Sequence, residues 1–148
     1  MEKVRAMMII EIAGRPPEHL IGRLKEHVRK IKSIKDVGYL SETFSDAKKI
    51  NEEKDVYTAF AEVEVETNTF SRLIELIFDF MPSSVEVVSP KEVNLDMHGA
   101  TGILNDLAGR LHKYDEVAKI AKLQNQQLTK KLQEMQKQGN SEKESSKS

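Results

Sequence analysis

Three groups of residues in this chain are of types that could do chemistry. Glu62, Glu64 and Glu66 alternate within one apolar-acidic run. Carboxylates are hard ligands for divalent cations, but alternate residues of a strand stand about 6.6 Å apart. That is too spread to converge on one ion without ligands from other strands, so a solvated strand face is the simpler reading. His19, Arg23, His27 and Lys30 recur at helical spacing, with Arg15 and Arg29 nearby. Such a basic stripe could meet phosphate or an acidic partner, yet Glu18 and Glu26 dilute it and an ordinary solvated helix face is expected. His19 and His27 lie two turns apart, too far to share a metal. His98 and His112 are isolated. The chain has no His-Glu-x-x-His pair, nucleophile elbow, phosphate-binding glycine loop or Cys/His cluster. No catalytic residue, metal ligand or cofactor is therefore assigned, and a non-enzymatic protein is expected.

Bulk properties narrow the class further. With 148 residues, 39% hydrophobic and 32% charged, the chain has enough apolar material for one modest core and an appendage. A formal net charge of -1 gives no global attraction to nucleic acid or anionic membrane. There is no cysteine, which excludes disulfides and thiolate chemistry. The apolar run from Met7 to Ile12 is broken by Glu11, too short and too acidic for a signal peptide. No stretch approaches the ~18 apolar residues of a membrane span. A soluble, cytoplasmic protein without membrane contact is expected.

The elements that must position these residues follow from periodicity. Val4 to Ala13 reads as a central strand, apolar on both faces through Met8, Ile9, Ile10 and Ile12. Gly14-Arg15-Pro16-Pro17-Glu18 is turn and helix-start chemistry. Leu20, Leu24, Val28 and Ile31 then repeat at helical spacing. Val37 to Phe44 predicts a second strand, and Ser45 to Asp55 a loop or frayed hairpin. Val56 to Glu66 alternates most clearly, with Tyr57, Ala59, Ala61, Val63 and Val65 on one face. Asn68-Thr69 offers a helix cap before Phe70, Leu73, Ile74, Ile77 and Met81, and Pro82 stops that helix. Ser84 to Val88 predicts the last strand. The order βαββαβ implies an α+β two-layer sandwich over residues 1–90. A linker over 91–102, a coiled-coil helix over 103–138 and a disordered tail over 139–148 are expected to follow.

The strongest pattern lies in that helix. With Leu104 at heptad position a, the a positions are Leu104, Leu111, Ala118, Asn125 and Leu132, and the d positions are Leu107, Tyr114, Ala121, Leu128 and Met135. Nine of the ten are nonpolar or aromatic. A seam sustained over four heptads predicts a coiled coil, and a single asparagine at a fixes register and favours a parallel pair. Arg110 at g and Asp115 at the following e could pair between parallel strands. Ala118 and Ala121 thin the seam, while Ile103, Val117, Ile120 and Leu123 lie off it and widen the first half. At ~1.5 Å per residue the helix would be about 50 Å long. A homodimer, or pairing with another coiled-coil protein, is the expected partnership.

Alternation also assigns the sheet face that helices leave open. Ile9, Glu11, Leu40, Glu42, Phe44, Phe60, Glu62, Glu64, Glu66, Glu86 and Val88 are expected there. That surface is acidic with an apolar spot. RNA-binding sheets of this topology carry aromatic and basic groups instead, so nucleic-acid binding is not expected from this face, and a protein contact is.

The βαββαβ order, with Ile10-Glu11-Ile12-Ala13-Gly14-Arg15-Pro16-Pro17-Glu18-His19-Leu20 bridging the first strand and helix, resembles an ACT or ACT-like regulatory domain of ferredoxin-like fold over Val4 to Ser89. The family's pre-helix proline and later leucine are matched by Pro16 and Leu20. Pro17 stands at its ligand-facing glycine and has no N–H to donate. The resemblance implies small-effector binding at a dimer interface, with Gly14 and Arg15 as the ligand turn. Three functions follow as expectations: an assembly module that oligomerises through its C-terminal helix, an ACT-like sensor of a small metabolite, and a weak nucleic-acid binder using the His19–Lys30 stripe.

Overall fold

The computed structural model of the chain describes residues 3–147. Expectations for positions 1, 2 and 148 lie outside the described residues. The chain divides into two compact units, one ending at Leu95 and one beginning at Asp96. The first is an α+β unit built on a five-stranded antiparallel sheet with two helices. The second is one long helix.

Strand β1 (Val4–Gly14) is central, flanked by β4 (Lys54–Thr67) and β5 (Ser84–Ser89). The strand order is β2-β4-β1-β5, with β2 (Gly38–Phe44) on the far side of β4. A short β3 (Lys48–Asn51) occupies the stretch expected as loop or hairpin. It pairs with the start of β4 and so prolongs the β2 edge. Asn51 closes the hairpin by accepting from Lys54 N–H through Oδ1 at 2.7 Å. Where β2 gives way to β3, the Ser45 hydroxyl accepts from Phe60 N–H at 2.9 Å, in place of a ladder carbonyl.

The core lies between this sheet and helices α1 (Pro17–Lys32) and α2 (Phe70–Phe80). Val4, Ala6, Met8 and Ile10 of β1 meet Ala59, Ala61, Val63 and Val65 of β4. Leu20, Leu24, Val28 and Ile31 of α1 cover them, joined by Leu73 and Leu76 of α2. Each such side chain withdrawn from water contributes about 1.5–3 kcal/mol. The α2 stripe differs in one respect from its sequence reading. Leu76 is buried, whereas Met81 is 66% exposed in the left-handed C-cap position. Pro82 disfavours helical backbone at the residue before it, so the helix ends at Phe80 and Met81 turns left-handed, away from the core. Thr69 caps α2 by accepting from Arg72 N–H at 3.1 Å, and buried Thr67 is satisfied by donating to Thr69 O at 2.9 Å.

Helix α3 runs Met97–Ser146. It starts inside the stretch expected as linker because Asp96 caps it, accepting from Gly99 N–H at 2.7 Å. A Cβ at residue 99 would stand 3.1 Å from that carboxylate, so glycine permits the close approach. The helix also continues through residues 139–146, where composition predicted a disordered tail. Beyond Gly139 and Asn140 the stretch is Ser, Glu and Lys, which a helix tolerates, and no proline interrupts it. No described helix is long and apolar enough to cross a membrane.

Two measurements check this packing. Leu24→Ala should cost about 2–5 kcal/mol in urea unfolding, as a buried leucine truncation does. The second concerns the link between α2 and the turn after α1, where the Arg72 guanidinium holds Asp36 at 2.8 and 3.1 Å. Hydrogen bonding to Arg72 lowers the Asp36 pKa. A depressed folded-state pKa stabilises above the unfolded value, about 3.9, and that contribution fades as pH falls through the folded value. The stability difference between wild type and Asp36→Asn should therefore be present at neutral pH and shrink below about pH 4.

Candidate functional site

The residues singled out from the sequence fall on four surfaces. On the open sheet face, β1 presents Arg5, Met7, Ile9 and Glu11 beside Glu66, Glu64, Glu62 and Phe60 of β4. Glu86 of β5 stands next to Met7. The acidic character is weaker than expected. Arg5 bonds Glu64 at 2.8 Å and lies 4.0 Å from Glu66, and Lys3 lies 3.5 Å from Glu66. Glu64 and Glu66 are thus charge-paired across the ladder, and Glu11 accepts from Thr58. Among the described residues no group of three His, Asp or Glu side chains comes together to hold a metal.

Two residues expected on that open face, Glu42 and Phe44, are on the other, and two more, Leu40 and Val88, sit at register shifts. The β2 register shifts between Tyr39 and Ser41, so Leu40 is an extra, unpaired residue. The shift reverses the alternation. Glu42 and Phe44 then stand opposite Val63 and Ala61, on the helix side, and Phe44 packs against the core. Val88 likewise occupies a register shift, between Val87 opposite Ala6 and Ser89 opposite Arg5.

The helix-side shift of Glu42 and Phe44 builds a cleft that spacing alone did not single out. Lys25, Arg29 and Lys32 of α1 line a cavity of about 370 Å³ with Glu42 and Phe44. The Lys25 ammonium sits 5.7 Å over the Phe44 ring, and Lys32 sits 5.7 Å over the Tyr39 ring. Tyr39 donates its hydroxyl to Glu42. Burial, then the Glu42 carboxylate, push the Tyr39 phenol above its ordinary pKa, so it remains a donor. Lys25, Arg29 and Lys32 share an i, i+4, i+7 spacing, but spacing along α1 does not show that Glu42 and Phe44 stand beside them, because that depends on the β2 register shift.

The stripe His19, Arg23, His27, Lys30 is not continuous. His19, Arg23 and Lys30 are exposed. His27 is turned toward α2, its Nε2 3.3 Å from Phe80 O and its ring edge-on to Phe80 at 5.5 Å. It is a packing residue between two helices. At the Gly14–Arg15 turn, Gly14 ends β1 opposite Tyr57 and Arg15 is exposed. The α1 N-terminus follows at once with Pro16 as N-cap and Pro17 at the first helical position. Neither carries an N–H, so the donors that make a helix start attractive to an anion are depleted there. Glu18 adds a carboxylate to the same turn.

The seam lies on α3, which has no buried residue, although Ile103 near its start is half-buried. Leu104, Leu111, Leu128, Leu132 and Met135 are 56–63% accessible. The interspersed Val117, Ile120 and Leu123 are similarly accessible, at 56–58%. Arg110 and Asp115 have intrahelical partners: Arg110 bonds Asp106 at 3.3 Å and Asp115 pairs with Lys119 at 2.8 Å. His112 lies 3.2 Å from Glu116, and His98 is exposed in the first turn.

His27→Ala should lower stability by about 1 kcal/mol through the lost ring packing and carbonyl contact. His19→Ala should fall within about 0.5 kcal/mol of wild type, as exposed positions do. Chemical denaturation of both variants checks the distinction.

No curated protein and no solved structure matches the chain. The MJ0538 family model matches residues 5–147. That span takes in nearly all of the α+β unit and the whole of the long helix, and the chain belongs to the MJ0538 family.

Proposed function

We propose that this protein is a non-enzymatic assembly module in which two copies pair in parallel through α3. The observation that carries the reading is the seam. Leucines, Tyr114 and Met135 recur at a and d along α3, and α3 contributes no buried residue. Apolar side chains in such a row gain about 1.5–3 kcal/mol each when withdrawn from water. Helical stability in proteins comes mostly from packing an apolar face against another element. A second α3 supplies that element. Asn125 at an a position sets two chains in register, because an asparagine opposite leucine would be buried without a hydrogen-bond partner.

The α+β unit on this reading is a ferredoxin-like sandwich. Support comes from the element order β1-α1-β2-β4-α2-β5 once β3 is treated as a continuation of the β2 edge. Its role is to present surfaces to other proteins while α3 brings copies together.

Full-length protein at micromolar concentration should sediment as a dimer. Leu128→Lys with Leu132→Lys places charges in the seam and should give a monomer with the α+β unit still folded. A monomeric wild type would sink the self-pairing reading. Asn125→Leu should raise the melting temperature of the helix and broaden the oligomer distribution, since the register device is gone.

A further inference from the structure

We propose that the free edge of β2 takes up an extended acidic peptide as an added strand, its carboxylates meeting Lys25, Arg29 and Lys32. Strand β2 ends the sheet order, and among the described residues no strand pairs with its outer side. A sheet edge carries a row of N–H and C=O groups able to hydrogen-bond an extended chain. The side chains of such a chain alternate, so every second one would point to the helix side.

On that side the three cations of α1 run along the strand. Lys32 stands by Tyr39 and Lys25 by Phe44, so α1 follows β2 over most of its length. Along the helix Lys25, Arg29 and Lys32 are spaced by about 6 and 4.5 Å. Alternate residues of an added strand are spaced by about 6.6 Å. Two or three acidic residues at alternate positions therefore match the row. The cavity walls hold three cations against the single carboxylate of Glu42, and Tyr39 already occupies that carboxylate.

Charge selects this occupant over two others. A second copy pairing β2 to β2 would bring two sets of Lys25, Arg29 and Lys32 together, and like charges repel. Single-stranded nucleic acid binds through aromatic faces open to stacking. Here Phe44 and Tyr39 pack against the core and are capped by lysines.

The test uses full-length protein and a fluorescein-labelled nine-residue peptide alternating Glu and Thr. A version with Lys for Glu and a thymidine oligonucleotide serve as comparisons. The acidic peptide should bind saturably by fluorescence anisotropy, more weakly as salt rises, and the lysine peptide should not bind. Lys25→Glu with Arg29→Glu should weaken binding at least tenfold, and circular dichroism should show the variant folded. Should it unfold, Lys25→Gln with Arg29→Gln replaces it, with the same direction expected. Hydrogen exchange should show β2 amides within residues 41–44 gaining protection when the peptide binds. Absence of acidic-peptide binding, binding indifferent to the charge changes, or binding without added β2 protection would each overturn the proposal. So would tighter binding of the oligonucleotide through the same side chains.

Discussion

The α+β unit depends on one ladder, the antiparallel pairing of β1 with β4 from Val4 opposite Thr67 to Gly14 opposite Tyr57. Because side chains alternate with period two, this register commits a complete set of small and β-branched residues to one face. Ala6, Ala59 and Ala61 lie in the set, and their small side chains let α1 approach the sheet closely enough for Leu20, Leu24, Val28 and Ile31 to interdigitate. A slip of one residue in β4 would send Glu62 and Glu64 into the core and bury unpaired charge. The same ladder lays Arg5 beside Glu64 and Glu66, so the open face is knit by ion pairs across strands.

The two edges of the sheet depart from that regularity, and the departures matter for function. An extra residue at Leu40 and another at Val88 each reverse the side-chain parity of an edge strand. At β2 the reversal carries Glu42 and Phe44 from the open face to the helix side, where they meet Lys25 and its neighbours. An acidic-apolar patch expected on one face becomes a basic-aromatic cleft on the other. Bulges are concentrated at sheet edges because a residue left out of the ladder there disturbs hydrogen bonds on one side only.

Helix α3 poses the opposite problem. Within the α+β unit, burial of an amphipathic face stabilises each helix, whereas α3 has no buried residue. Its intrahelical ion pairs, Asp106–Arg110 and Asp115–Lys119, are largely exposed and contribute only about 0.3–0.5 kcal/mol each. They orient the helix surface more than they hold it. The pairing of Arg110 and Asp115 within the helix also takes up the charges that would otherwise have linked two parallel strands at g and e.

Much of this was readable along the chain. A continuous apolar run located β1, periods of 2 and 3.6 located β4, α1 and α2, and a heptad repeat located the seam, because a period states directly which residues share a face. The core stripe Leu20, Leu24, Val28 and Ile31 and the inward set of β4 follow from spacing alone. The helix start at Asp96 and β3 were less legible: the first needs cap geometry at Gly99, the second a partner strand. What only tertiary structure decided is parity at the edges and the partners of polar groups. No local pattern announces that Leu40 is left unpaired, since its effect exists only relative to β4. Likewise His27 has the spacing of a surface stripe, and only the position of Phe80 on another helix makes it a packing residue. Local sequence determines which residues share a face; it takes a second element to determine what that face meets.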